Sequence, residues 1–177
     1  MAAIPESPPR VRPLAEQPAL VERVVKLLIT PQTLLPLAPD EAALVAANMR
    51  LVAFPAGSTV LREGEGARAD YLLLLLEGDV QVDTQKSGGD AVPASVLGPG
   101  SIIGEMSVLD GAPRSATCTA MTSVLAAGLS RKGLELLIEQ QPRAAAKLLL
   151  GIAQRLADRV RALDQQLNIY AQITSGS

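Results

Sequence analysis

Gly104-Glu105-Met106-Ser107-Val108-Leu109-Asp110-Gly111-Ala112-Pro113-Arg114-Ser115-Ala116-Thr117 places a glycine, an acid and an arginine around a short helical pattern, a combination suited to holding a small anion. A helix beginning near Gly104 aims free backbone N–H groups and a positive dipole end at such an anion. Gly104 lets the backbone approach closely. Arg114 brings a permanent cation whose planar fork fits phosphate oxygens. Glu105 is acceptor-only when ionised and suits a hydroxyl donor. Taken singly, these residues have ordinary structural readings: Glu105 as an exposed acid at a helix N-terminus, Arg114 as a surface arginine after a Pro turn. Ser115 either bonds a phosphate oxygen or base, or satisfies a turn backbone. Ala116 contributes close backbone approach.

Around this stretch, from about Val52 to Leu129, short apolar runs alternate with glycines. Ser58 to Arg62, Tyr71 to Leu76, Val80 to Asp83, Ala94 to Leu97 and Thr117 to Ala120 read as strands. Val80-Gln81-Val82-Asp83 alternates as a strand with one buried and one wet face. Ser87-Gly88-Gly89-Asp90 reads as a hairpin tip. Many short strands with glycine turns indicate a barrel or sandwich.

The flanks are helical. Residues 1–17 carry Pro5, Pro8, Pro9 and Pro13 and few apolar side chains, so a flexible leader is expected. Pro18 to Ile29 has helical apolar spacing. A second helix is expected from about Pro39 to Met49, burying Leu44, Val45 and Met49, with Asp40 and Glu41 in its first turn. Lys132 to Glu139 forms a short helix. A long helix follows from Pro142 to about Gln172, with a heptad seam of Leu149, Leu156, Leu163 and Tyr170 beside Ala146, Ala153, Val160, Leu167 and Thr174. That seam suits either a homodimer or packing on the chain's own barrel. The organisation expected is a leader over 1–17, helices over 18–50, strands over 51–130, helices over 131–172 and a tail over 173–177.

Composition narrows the function. Net charge is −2 over 177 residues, with no basic surplus for nucleic acid or an anionic membrane. The chain has no His, which excludes Ser-His-Asp and Cys-His catalysis and His-ligated metals. The single cysteine, Cys118, reads as a small buried hydrophobe. The longest pure aliphatic run, Leu72 to Leu76, is too short to span a bilayer, and no signal segment is visible, so a cytoplasmic location is expected.

Residues 104–117 resemble the phosphate-binding cassette of the cyclic nucleotide-binding domain family, which includes protein kinase A regulatory subunits, cyclic-nucleotide-gated channels and catabolite-activator-type transcription factors. Phe54-Pro55-Ala56-Gly57, Arg62-Glu63-Gly64-Glu65, Leu76-Glu77-Gly78-Asp79-Val80 and Leu97-Gly98-Pro99-Gly100 resemble successive turns of that family's β-roll. The resemblance covers roughly residues 40–165. It implies a mainly β fold with flanking helices, a β-roll of about eight strands (a double-stranded β-helix or jelly roll) and a long C-terminal helix. Ligand-contacting positions implied are Gly104, Glu105, Met106, Ser107, Arg114, Ser115 and Ala116, with Glu105 on the ribose 2′-hydroxyl and Arg114 on the cyclic phosphate. Arg159 and Val160 stand where catabolite-activator-like members carry base-contacting hydroxyls, so they are candidates on the base side. Val96, Leu97, Ile102 and Ile103 either line a base pocket or pack the core.

The expected function is a non-enzymatic sensor of a cyclic nucleotide, cyclic AMP first and cyclic GMP second, with no metal or other cofactor. A ligand-free adaptor of the same fold, or a cyclic di-GMP-binding protein, is the alternative. After Leu167 only ten residues remain. A helix-turn-helix needs about twenty, so direct DNA binding is not expected. The output is expected to pass to a separate, unknown protein, through movement of the C-terminal helices and a homodimer formed along the long helix.

Overall fold

The computed structural model describes residues 10–29, 34–66, 70–85 and 91–175. Nine strands and five α-helices run in the order β1 (Arg10–Pro13), α1 (Pro18–Leu28), α2 (Pro39–Ala47), β2 (Arg50–Phe54), β3 (Thr59–Leu61), β4 (Tyr71–Glu77), β5 (Val80–Gln85), β6 (Ala91–Leu97), β7 (Ile102–Ile103), α3 (Glu105–Asp110), β8 (Thr117–Ala120), β9 (Val124–Ser130), α4 (Arg131–Gln140) and α5 (Pro142–Ser175) among the described residues. The strands form two antiparallel sheets, ordered β1-β2-β9-β4-β7 and β3-β8-β5-β6. This is the roll-like, helix-flanked architecture that the family resemblance implies.

The run Leu72 to Leu76 explains how the layers assemble. On a strand, alternate side chains face opposite sides. Leu72, Leu74 and Leu76 pack with the helices, beside Val45, Leu137, Leu148 and Ile152. Leu73 and Leu75 face the second sheet, beside Val80, Val82, Cys118 and Ala120. β4 is therefore covered on both faces, which is why it reads as continuous leucine rather than as an alternation. Burying each leucine contributes roughly 2 kcal/mol. In β9 the small residues Ala126, Ala127 and Gly128 lie opposite Leu75, Leu74 and Leu73 of β4.

Three expectations need correction. Residues 10–17 are not a flexible leader: Arg10–Pro13 pairs antiparallel with β2, and a 3-10 turn over Leu14–Glu16 follows. Leu14, fully buried among the helices, anchors this segment. The first nine residues of the expected leader, and the expected hairpin tip at 87–90, lie outside the described residues. In α2 the buried face is Glu41, Ala42, Val45 and Ala46, with Met49 just beyond the helix, while Leu44 is exposed. Finally, α5 continues to Ser175, into the expected tail.

The seam of α5 divides. Ala144, Ala145, Leu148 and Ile152 are buried against the body of the protein, and Leu149 and Leu156 are partly buried on the same cluster. Ala146 and Ala153 face solvent. Val160 and Leu163 are 56% and 51% exposed. No helix among the described residues is long and apolar enough to cross a membrane.

Candidate functional site

The cassette is a strand, a short six-residue helix and a return. β7 ends at Ile103, where Gly104 turns into α3 with φ +75°, and Gly111 leaves α3 with φ +74°. Both positions disfavour any residue with a Cβ. Space adds to conformation at Gly104: a Cβ there would strike Arg114 Nη1 and lie 3.1 Å from the Tyr71 carbonyl oxygen. α3 is held at its far end by Arg131, whose Nη2 donates to the Ser107 carbonyl at 2.7 Å.

Arg114 is 3% exposed, contrary to the reading of a surface arginine. Its Nη1 donates to the Gly104 carbonyl and its Nη2 to the Tyr71 carbonyl, both at 2.7 Å. The guanidinium carbon lies 4.8 Å from the centre of the Tyr71 ring. Its backbone is clamped as well. Arg114 N–H donates to the Glu65 carbonyl at 3.0 Å, and Gly64 N–H donates to the Arg114 carbonyl at 2.9 Å. Beside this clamp, Glu63 N–H donates to Thr117 Oγ1 at 3.1 Å. The Arg114 Nε–H has no acceptor among the described residues, and no carboxylate among them lies within ion-pair distance of the guanidinium. A buried cation held only by neutral groups is costly, and an anion delivered to it recovers that cost.

Two adjoining hollows meet at the cassette. The first is lined by Gly104, Glu105, Met106, Ser107, Arg114, Ser115 and Ala116, with Leu61, Cys118 and Arg159 among the remaining walls. The second, about 410 Å³, lies between β5 to β7 and α5 and shares Val82, Leu97, Ile102, Glu105 and Arg159 with the first. That volume is in the range of small-molecule pockets. Glu105 is half-buried on the wall common to both and has no hydrogen-bond or ion-pair partner among the described residues. Burial pushes the Cys118 thiol up to about 11, so at neutral pH it is an uncharged part of the wall.

All seven cassette residues named from the sequence therefore line one hollow, in different ways. Ser107 is buried, Met106 is partly exposed, and exposed Ser115 points its hydroxyl to the Met106 sulfur at 3.7 Å. On α5, Arg159 lines both hollows, whereas Val160 lines neither and faces solvent. One residue step turns a helix by about 100°, which separates the two. Leu97 and Ile102 line both hollows and Ile103 the first, but Val96 is on the exposed side of β6. Val82, Ser95, Ser101, Arg155, Leu156, Ala162 and Leu163 also line the second hollow and were not singled out for it. Val82 was legible in the alternation of β5. Arg155 was not: its role depends on the turn it meets, where its Nη1 donates to the Gly100 carbonyl at 2.9 Å. Among the described residues no cluster of three acidic or sulfur side chains is placed to hold a metal.

Residues 51–141 match the model of the cyclic nucleotide-binding domain. The chain is 31% identical over 118 residues to a CRP-like cAMP-activated global transcriptional regulator of Mycobacterium tuberculosis, covering 67% of this chain and 52% of the regulator. It is 32% identical over 135 residues to the cyclic AMP receptor protein of Thermus thermophilus, covering 76% of this chain and 60% of the relative. The chain thus spans between half and two thirds of these curated relatives. Among solved structures, a cyclic nucleotide-binding domain from Methylobacillus flagellatus superposes with a TM-score of 0.76 at 32% identity, covering 81% of this chain and 80% of the other.

Proposed function

This chain belongs to the cyclic nucleotide-binding domain family, and we propose that it binds a cyclic nucleotide monophosphate, cyclic AMP before cyclic GMP, between the cassette and α5. The observation that carries the reading is Arg114, a buried cation with an unpaired Nε–H and no carboxylate partner among the described residues. A cyclic phosphodiester supplies one negative charge and acceptor oxygens for that cation. The Glu105 carboxylate, unpaired among the described residues, then accepts from the ribose 2′-hydroxyl, the one free ribose hydroxyl of such a ligand. The base extends into the larger hollow, against Leu97 and Ile102 on one side and Leu156 and Arg159 on the other. The preference for cyclic AMP is supported by the two curated relatives named for it.

The bound nucleotide bridges the cassette to α5 and biases the position of that helix, which makes the domain a regulatory sensor rather than an enzyme. Such a shift requires the ligand to bind two arrangements unequally. Two copies associate along the exposed part of α5, where Val160 and Leu163 present apolar surface, and a separate protein reads the change.

Calorimetric titration with cyclic AMP, cyclic GMP and cyclic di-GMP tests this, with Arg114→Ala and Glu105→Gln as controls. Saturable binding of cyclic AMP, strongest of the three and lost in Arg114→Ala, is the expected result. Preference for another of the three would reassign the messenger. Silence from all three with folded protein would leave an adaptor.

A further inference from the structure

We propose that Tyr71 is a positioning residue that presents Arg114 to the anionic ligand; this rests on the nucleotide-binding reading of the cassette. Among the described residues Tyr71 supplies two of the three contacts that hold the guanidinium: its carbonyl accepts from Nη2 at 2.7 Å, and its ring lies 4.8 Å from the guanidinium carbon. The carbonyl is fixed by the sheet, because Tyr71 stands opposite Ser130 in the β4–β9 ladder. The ring distance is within cation–π range. Tyr71 is not among the residues lining either hollow, so it acts through Arg114 rather than on ligand.

The choice of holding groups is the chemical argument. A carboxylate in place of the ring would orient the guanidinium equally well, but it would neutralise the charge that the ligand needs. Two carbonyls and a π-face fix the fork while leaving its full positive charge uncompensated, with the Nε–H open. The ring also packs against the core between the sheets. A residue that served packing alone would be replaced by leucine as well as by phenylalanine, whereas a π-face is kept only by phenylalanine.

The chain has two tyrosines and no tryptophan, so a Tyr170→Phe background leaves Tyr71 as the sole tyrosine chromophore. Two measurements are made there. Without ligand, the near-ultraviolet spectrum of Tyr71 is compared with and without Arg114→Gln, folding being checked by far-ultraviolet circular dichroism. A changed tyrosine band is expected; superimposable bands would overturn the contact. With cyclic AMP, Tyr71→Phe is expected to bind within about threefold of its parent and Tyr71→Leu about tenfold more weakly. Equal affinities for the Phe and Leu variants would overturn the positioning role. If the parent binds no cyclic nucleotide, the nucleotide-binding reading fails, and the ligand-free spectra still decide whether Tyr71 holds Arg114.

Discussion

Arg114 in the cassette and Glu41 in α2 are both charged and both buried, at 3% and 8% exposure, yet their surroundings are opposite. Glu41 is surrounded by donors. Its Oε2 accepts from Lys147 Nζ and, at 2.8 Å, from the Ala38 N–H, while its Oε1 lies 3.2 Å from Arg143 Nε. It caps its own helix and ties α2 to the start of α5. Arg114 has two carbonyls, one ring and no opposite charge among the described residues. The contrast separates two uses of a buried charge. A charge matched inside the protein is a joint, and breaking it affects the fold. A charge left unmatched is, on the function proposed above, a receptor, and what it lacks describes the ligand. Glu105, which shares the hollow with Arg114, likewise has no donor of its own among the described residues.

Substituting each residue breaks the comparison in a different observable. Arg114→Ala is expected to weaken cyclic AMP binding roughly 100-fold or more, read by calorimetry. If binding survives, the unmatched charge is not the receptor. Gly104→Ala puts a Cβ into the left-handed region against Arg114 and the Tyr71 carbonyl. It is expected to cost about 1–2 kcal/mol of stability by denaturant unfolding and to weaken binding as well, because the arginine must shift.

Glu41→Gln should do the reverse, lowering the melting midpoint by a few degrees while leaving cyclic AMP affinity within about twofold. An affinity loss comparable to that of Arg114→Ala would erase the distinction between joint and receptor. The comparison also has a pH signature. The Lys147 hydrogen bond, then the Ala38 N–H, hold the Glu41 carboxyl below its ordinary value of 4.5. A lowered folded value stabilises the protein above the unfolded value, and that contribution is lost as pH falls through the folded one. Thermal unfolding of wild type should therefore lose stability below about pH 4.5 more steeply than Glu41→Gln does. The smallest effect is expected from Asp158→Asn, which breaks the exposed pair with Arg161 on α5. A change in melting midpoint under about 2 °C would mark the limit of an ion pair that is not buried.

Much of this was legible in local sequence. The five-leucine run of β4 and the apolar spacing of α1, α4 and α5 identify their elements, since strand and helix periods are short-range properties. β9 was harder. Val124-Leu125-Ala126-Ala127-Gly128-Leu129-Ser130 carries alanine and glycine, which suit a strand poorly by propensity, yet it pairs with both β2 and β4. β1 is hidden in the sequence among the prolines of the first 13 residues, yet it pairs with β2 and is followed by the buried Leu14. The apolar character of Leu44 points to the buried face of α2. The helix rotates it outward and turns Glu41 inward instead.

By itself the sequence determined the chemistry that is offered: a glycine that permits a tight turn, an acid, an arginine and a short helix between them. The tertiary structure alone decided the state of those groups. Whether Arg114 is buried, whether it meets a carboxylate, and whether Arg159 or Val160 faces the hollow depend on which distant segments come together. Glu41 meets Lys147 across 106 positions of chain, while Arg114 meets Tyr71 across 43. Residue type sets the sign of a charge, but its solvation and its partners are properties of the packed chain, and here they match one charge and leave the other unmatched among the described residues.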